Sequence, residues 1–261
     1  MSGSEPDTEA IRHHWDRRAG TFDAEAGHGL FSDEQRQAWH DLLSRVVGRA
    51  PQHVLDVGCG TGFLALRLAE LGHRVDGVDL SAQMIEQARG KAEQAALEID
   101  FRVGDAADLD CPGEAYDLVA ARHVIWNLQD PERGVAEWLR VLRPGGRLLL
   151  VEGKWADNEA MALSYNRPAA RLLAGALDCA ALIVHSEKYR TKLLNRKYRV
   201  LAVRLPFAGG PAASRLVSFL EANSVRDVWA EPLMDSTLWG ESPQFRRYFV
   251  TGTRSAEPEK S

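Results

Sequence analysis

The stretch 54-VLDVGCGTG-62 constrains this chain more than any other. Apolar residues around Asp56 read as a short strand, and Phe63 opens an apolar helical pattern. Gly58, Gly60 and Gly62 lie between them. Glycine has no side chain, so its backbone can turn sharply and approach a ligand closely. A glycine-rich turn between a strand and a helix is where open α/β sheets hold nucleotides. A tight turn with no ligand is the competing reading. The flanking strand and helix, and the acids described below, favour a ligand.

The same alternation continues downstream. Strands are predicted at 53–58, 74–80, 99–105, 116–122 and 147–153, and helices at 62–71, 82–96 and 131–142. Ser81 and Asp130 sit where helix N-caps belong, and Met84, Ile85 and Ala88 form a buried stripe. The strands are apolar without clean alternation, as expected when both faces are covered. This is an α/β pattern: a doubly wound, mostly parallel sheet with right-handed crossovers. Upstream, 8–19 and 32–48 read as helices around a glycine-punctuated loop at 20–31. Downstream, 156–200 reads as mostly helical, with basic and aromatic residues. A helix at 211–223 and strands at 226–233 and 245–253 follow, and 1–9 and 255–261 read as polar tails.

With 261 residues and 45% hydrophobic content, one core with an inserted cap fits better than two domains. A net charge of -5 disfavours nucleic acid as a partner. Cys59, Cys111 and Cys179 have no metal spacing. No apolar run approaches the roughly 20 residues that span a bilayer, and the polar N-terminus is unlike a signal peptide. The expectation is a cytoplasmic protein without membrane contact, monomeric or a homodimer.

A dinucleotide fingerprint needs G-x-G-x-x-G. Here the third glycine comes one residue early, and Phe63 fills the expected slot. Asp56, just ahead of the glycines, would repel a pyrophosphate but attract an ammonium or sulfonium group. Asp79, ending the second strand, can accept both ribose hydroxyls of any adenosine cofactor. Asp105, with the Ala106 amide beside it, suits an adenine edge. Three acids at the carboxyl ends of successive strands stand where ligands bind in such sheets.

Together, VLDVGCGTGFLA, VDGVDLS, GDAADL, YDLVAARHVIWNLQDP and LRPGGRLLLVEG resemble a class I S-adenosylmethionine-dependent methyltransferase of the small-molecule type. The resemblance implies a Rossmann-like, seven-stranded sheet whose last strand is antiparallel, and S-adenosyl-L-methionine as cofactor. It implies cofactor contacts from Asp56, Gly58, Cys59, Gly60, Asp79, Leu80, Met84, Asp105, Ala106 and Arg122. The segment 15-WDRRAGTFD-23 resembles the lid of quinone-type methyltransferases, with Trp15 and Phe22 as the covering aromatics. The implied organisation is a helical lid at 1–50, a cofactor-binding core at 51–155, a helical cap at 156–205, completion of the core at 206–254 and a tail at 255–261.

Displacement at a sulfonium carbon already has a good leaving group, so positioning and dry packing can supply much of the rate. A general base helps hydroxyls and some amines more than thiols. His123, just past the fourth strand, and His28, in 27-GHG-29, are the candidate catalytic residues. No paired carboxylates or cysteine cluster points to a metal. The expected acceptor is a heteroatom (O, N or S) of a small molecule, in secondary metabolism. Quinone-type C-methylation and a non-catalytic cofactor-binding partner protein are the alternatives.

Overall fold

The structure, a computed structural model, describes residues 5–25, 27–154, 197–198, 201–202, 204–240 and 246–256. Helix α1 (Glu5–Arg18) runs into a 3-10 turn (Ala19–Ala24), and α2 (Asp33–Val46) follows. The core then alternates β1 (His53–Val57), α3 (Phe63–Glu70), β2 (Arg74–Asp79), α4 (Ala82–Gln94), β3 (Ile99–Val103), β4 (Tyr116–Arg122), α5 (Pro131–Val141) and β5 (Leu142–Lys154). After a stretch outside the described residues come α6 (Ala213–Ala222), β6 (Val225–Pro232), α7 (Ser236–Trp239) and β7 (Arg246–Arg254).

These strands form one seven-stranded sheet in the order β3-β2-β1-β4-β5-β7-β6. Strands β1 to β5 pair in parallel, and β7 runs antiparallel to both β5 and β6. This is the Rossmann-like arrangement with an antiparallel last strand. Both faces are covered. Val54, Leu118, Ala120, Leu149 and Val151 point into a core shared with Trp39, Leu64, Leu68 and Ile85. Their neighbours Leu55, Val119, Ala121, Leu148 and Leu150 point into a second core with Trp138, Val141, Leu216 and Leu220. Successive strand residues face opposite sides, which is why these strands carry near-continuous apolar runs.

The helix starts obey local chemistry. Ser81 Oγ accepts from the Met84 amide at 3.1 Å, and Asp130 accepts from the Arg133 amide at 3.0 Å with Pro131 in the first turn. Such caps occupy amides that the helix itself leaves unpaired.

Four details differ from the sequence reading. Residues 5–9, read as tail, belong to α1. Ala10 and Ile11 bury that helix, and Gln129 Nε2 donates to Thr8 Oγ1 at 3.1 Å. The 20–31 loop opens with the 3-10 turn. Strand β5 starts at Leu142 rather than 147: Tyr116 pairs with Leu142 and Leu118 with Arg147, so 144-PGG-146 is accommodated as a register shift. Helix α7 was missed. It has four residues and is held by tertiary contacts, with Trp39 Nε1 donating to Leu238 O at 2.6 Å. The helical cap expected over 156–205 lies almost wholly outside the described residues.

Candidate functional site

The glycine turn crosses the carboxyl end of β1. Gly58, Gly60 and Gly62 all have positive φ (62°, 55° and 85°), a region closed to most side chains. A Cβ on Gly58 would stand 2.5 Å from Val124 Cγ2. Among the described residues, a Cβ on Gly60 would have only Phe22 within 4 Å, at 3.9 Å. The three acids surround this turn. Asp56 is 1% exposed, and its Oδ2 accepts from the Ala65 amide of α3 at 2.9 Å. Asp79 accepts from the Gly60 and Ser81 amides, each at 2.8 Å. Asp105 accepts from the Ala107 amide at 2.8 Å, and the Ala106 carbonyl accepts from Trp138 Nε1 at 2.9 Å. Burial outweighs these bonds electrostatically and raises Asp56 to about 7 and Asp79 to about 6.

The N-terminal segment lies over the turn. Asp16 accepts from Ser81 Oγ at 2.6 Å. Asp23 accepts from Thr61 Oγ1 and from Lys91 Nζ, both at 2.6 Å. These contacts hold Trp15 and Phe22 edge to face, with ring centroids 6.0 Å apart, and Trp15 meets Trp126 at 6.3 Å.

Beneath lies a cavity of about 440 Å³, within the range of small-molecule sites. Every residue singled out from the sequence is in its wall: Trp15, Phe22, His28, Asp56, Gly58, Cys59, Gly60, Asp79, Leu80, Met84, Asp105, Ala106, Arg122 and His123.

The far end of the cavity differs in chemistry. His123 takes a positive φ of 59° and donates its amide to Val151 O at 2.9 Å. Its ring meets that of His28 at 5.9 Å. Burial lowers His28 to about 4, helped by nearby Arg122, and burial with the same arginine holds His123 well below the usual histidine range. Both are neutral imidazoles at neutral pH. The loop after β4 is fixed from below by Glu152, which is fully buried. Its Oε1 accepts from the Val124 and Ile125 amides at 2.9 and 3.1 Å, and burial raises it to about 8. Two arginines complete this end. Arg122 donates to the Gly27 carbonyl, and its guanidinium lies 3.9 Å from the Phe63 ring centroid. Arg247, from β7, lies 4.0 Å over Trp239.

The sequence reading did not single out Arg247, Glu152, Trp126 or Trp239. Trp126 sits inside the quoted motif after β4, so its position was visible but its direction was not. Arg247 and Trp239 reach the site through β7 and α7, far along the chain, and no local pattern points there.

The sheet order, with the glycine turn and acid-edged cavity at its carboxyl end, defines the class I methyltransferase fold. Residues 55–150 match the family described as a methyltransferase domain. The ubiquinone/menaquinone biosynthesis C-methyltransferase of Bdellovibrio bacteriovorus is 32% identical over 155 residues, spanning 58% of this chain and 65% of that protein. The demethylmenaquinone methyltransferase of Deinococcus radiodurans is 40% identical over 111 residues, spanning 42% of this chain and 46% of that protein. The chain thus spans under two thirds of the length of either relative. Among solved structures, the [4+2]-cyclase SpnF superposes with a TM-score of 0.65 at 19% identity, covering 96% of this chain and 97% of that one. A cyclase on this scaffold illustrates that fold alone does not fix a reaction.

Proposed function

We propose that this chain is an S-adenosylmethionine-dependent methyltransferase acting on a heteroatom of a small molecule. One observation carries the reading: a single cavity runs from the carboxylate edge of the sheet, under an aromatic lid, to a mouth of neutral histidines and arginines. The residues suit this cofactor better than a dinucleotide. The Gly60 amide, which a pyrophosphate would use, already donates to Asp79. Asp56 and Asp79 in the cavity wall favour a cation and disfavour phosphates.

In this reading Asp79 accepts from ribose hydroxyls, and Asp105 with the Ala106 amide takes the adenine edge. The glycine turn lies against the amino-acid portion. S-adenosylmethionine, when bound, supplies an electrophilic methyl group. Trp15, Phe22 and Trp126 exclude water from that region, which strengthens electrostatic contacts inside. His28 and His123 shape the mouth as neutral rings, and this favours thiols and acidic hydroxyls over acceptors that need a strong base.

A net charge of -5 and a recessed cavity of small-molecule size support a small acceptor rather than nucleic acid. Among the described residues no helix is long and apolar enough to cross a membrane. A cytoplasmic location, a role in secondary metabolism and a monomeric or homodimeric state belong to the same reading. The likeness to the Bdellovibrio C-methyltransferase favours a second one, methylation at carbon of a quinol-like ring.

Titration calorimetry with S-adenosylhomocysteine and with NAD tests the cofactor. Binding of the first and not the second is expected, and the reverse would overturn the proposal. Transfer of labelled methyl to a panel of thiols, phenols and amines, with the product located by NMR, separates heteroatom from carbon methylation.

A further inference from the structure

Lys197 and Tyr198, far along the chain, dock on α1. Lys197 Nζ lies 2.9 Å from Asp7 Oδ1. The Tyr198 ring stacks on that of His14, with centroids 3.7 Å apart and planes 12° from parallel. It meets Trp15 edge to face at 6.4 Å. Its hydroxyl donates to Asn127 Oδ1, in the loop after β4, at 3.2 Å.

Tyr198 is 6% exposed, yet it belongs to neither of the two cores that flank the sheet. Burial pushes its phenol well above the usual tyrosine range, so the hydroxyl remains a neutral donor. Buried tyrosines combine a rigid apolar face with a polar tip that finds a partner. Here the face and the tip serve different walls. Trp15 and Asn127 both line the cavity, and Tyr198 stands behind them. The ring backs the helix that carries a covering aromatic, and the hydroxyl fixes a side chain four residues past His123. Gln129 Nε2, donating to Thr8 Oγ1 at 3.1 Å, ties the same helix to the same loop. On its other side α1 is joined to the end of β2, where Ser81 Oγ donates to Asp16 at 2.6 Å. Helix α1 thus bridges the cofactor edge and the loop after β4, and Tyr198 secures the second of these ends.

We propose that Tyr198 is a positioning residue of the reaction: from outside the cavity it holds Trp15 over the bound cofactor, sets Asn127 in the adjoining wall, and so slows release of S-adenosylhomocysteine. This rests on the methyltransferase reading above. A cover that stays closed keeps water from the reacting centre and holds the reactants aligned, and it has to open before product leaves. The stacked ring secures the cover and the hydroxyl secures the wall, so substitution separates the two contributions.

The test follows S-adenosylhomocysteine by stopped-flow tryptophan fluorescence, which gives association and release rates separately. Tyr198→Ala should speed release about tenfold and leave association within about twofold, because a lost cover contact acts on departure. His14→Ala removes the other half of the stack and should speed release to a similar degree, which carries the test if Tyr198→Ala folds poorly. Tyr198→Phe keeps the ring and should hold release within about twofold of wild type. The same variant should move the Asn127 side-chain amide signal in the nitrogen-15 NMR spectrum. A purely structural role would lower the melting temperature of Tyr198→Ala and leave release unchanged, and that result would overturn the proposal. So would a wild-type release rate in His14→Ala, or an Asn127 signal that Tyr198→Phe leaves in place. Absence of S-adenosylhomocysteine binding by the wild-type protein is a distinct outcome: it would overturn the methyltransferase reading, and this role with it.

Discussion

Toward the amino end of the sheet, His53 of β1, Asp76 of β2 and Tyr116 of β4 form a closed network. His53 Nε2 lies 3.1 Å from Asp76 Oδ2, the Tyr116 hydroxyl donates to the same oxygen at 2.8 Å, and Arg102 adds an ion pair at 3.5 Å. The second ring nitrogen of His53 lies 3.1 Å from Ala115 O. At the carboxyl end the polar groups are as buried but less completed. His28 Nδ1, Arg122 Nε and Glu152 Oε2 have no hydrogen-bond partner among the described residues. Buried polar atoms are nearly always paired, and an unpaired one costs about 1–3 kcal/mol. In the amino-end network His53, Asp76 and Tyr116 answer one another and hold strands together, and Arg102 Nε at its edge is the atom left without a hydrogen-bond partner among the described residues. The carboxyl-end groups suit an outside partner, and that is where the cavity lies.

The sharpest way to break this contrast is to truncate one acid at each end. Asp79→Ala removes a buried carboxylate with charged hydrogen-bonding capacity, and S-adenosylhomocysteine affinity should fall about 100-fold or more by calorimetry. Asp76→Ala strands the Tyr116 hydroxyl and the His53 ring nitrogen. It should cost about 2–4 kcal/mol in urea unfolding and leave the affinity within about twofold. If Asp76→Ala weakens binding as much as Asp79→Ala does, the two ends are not functionally distinct.

The contrast also explains what could be read in advance. Ser81 and Asp130 cap helices through bonds to residues three positions away, so a short window of sequence contains the whole interaction. The glycine turn and Asp79 are likewise tied to successive strand ends, and parallel order follows from strand–helix alternation. Arg247 meets Gly27 only because β7 inserts antiparallel between β5 and β6. That meeting depends on topology at opposite ends of the chain, and nothing near either residue encodes it. Glu152 looked like one more residue of an apolar strand. Its role depends on the Val124 and Ile125 amides folding back over it. Asp56 was read as facing a ligand; it lines the cavity, and its Oδ2 also supports α3, which the sequence did not show.

A smaller effect tests whether the carboxyl end is incomplete without ligand. Burial raises Glu152 from 4.5 to about 8. Between those values the unfolded chain releases this proton and the folded chain keeps it, so this group's contribution to stability falls as pH rises through that window. Glu152→Gln still offers a carbonyl to both amides but has no proton to lose. The ligand-free variant should match wild type near pH 4.5 and exceed it by about 1–3 kcal/mol near pH 8. Calorimetric scans of both proteins across that window would show diverging curves. Parallel curves would mean that Glu152 is ionised in the fold and already compensated.

The smallest effect concerns the segment over the cavity. Asp23 ties it down through Thr61 and Lys91, and Asp16 through Ser81. The Asp23–Lys91 pair is about a third exposed on each side, so solvent screens it. Its loss should therefore open the segment locally by about 1 kcal/mol or less, without unfolding the sheet. Asp23→Ala should speed amide exchange across residues 19–25 by up to about fivefold in ligand-free protein. Strand amides of β1 and β4 should be unchanged. Saturating S-adenosylhomocysteine should restore much of the protection, because Phe22 and Trp15 then gain a surface to pack on. If ligand leaves exchange at 19–25 unchanged in both proteins, those aromatics do not cover the cofactor. If Asp23→Ala instead accelerates β1 and β4, the segment is part of the cooperative core and closure is not a separate event.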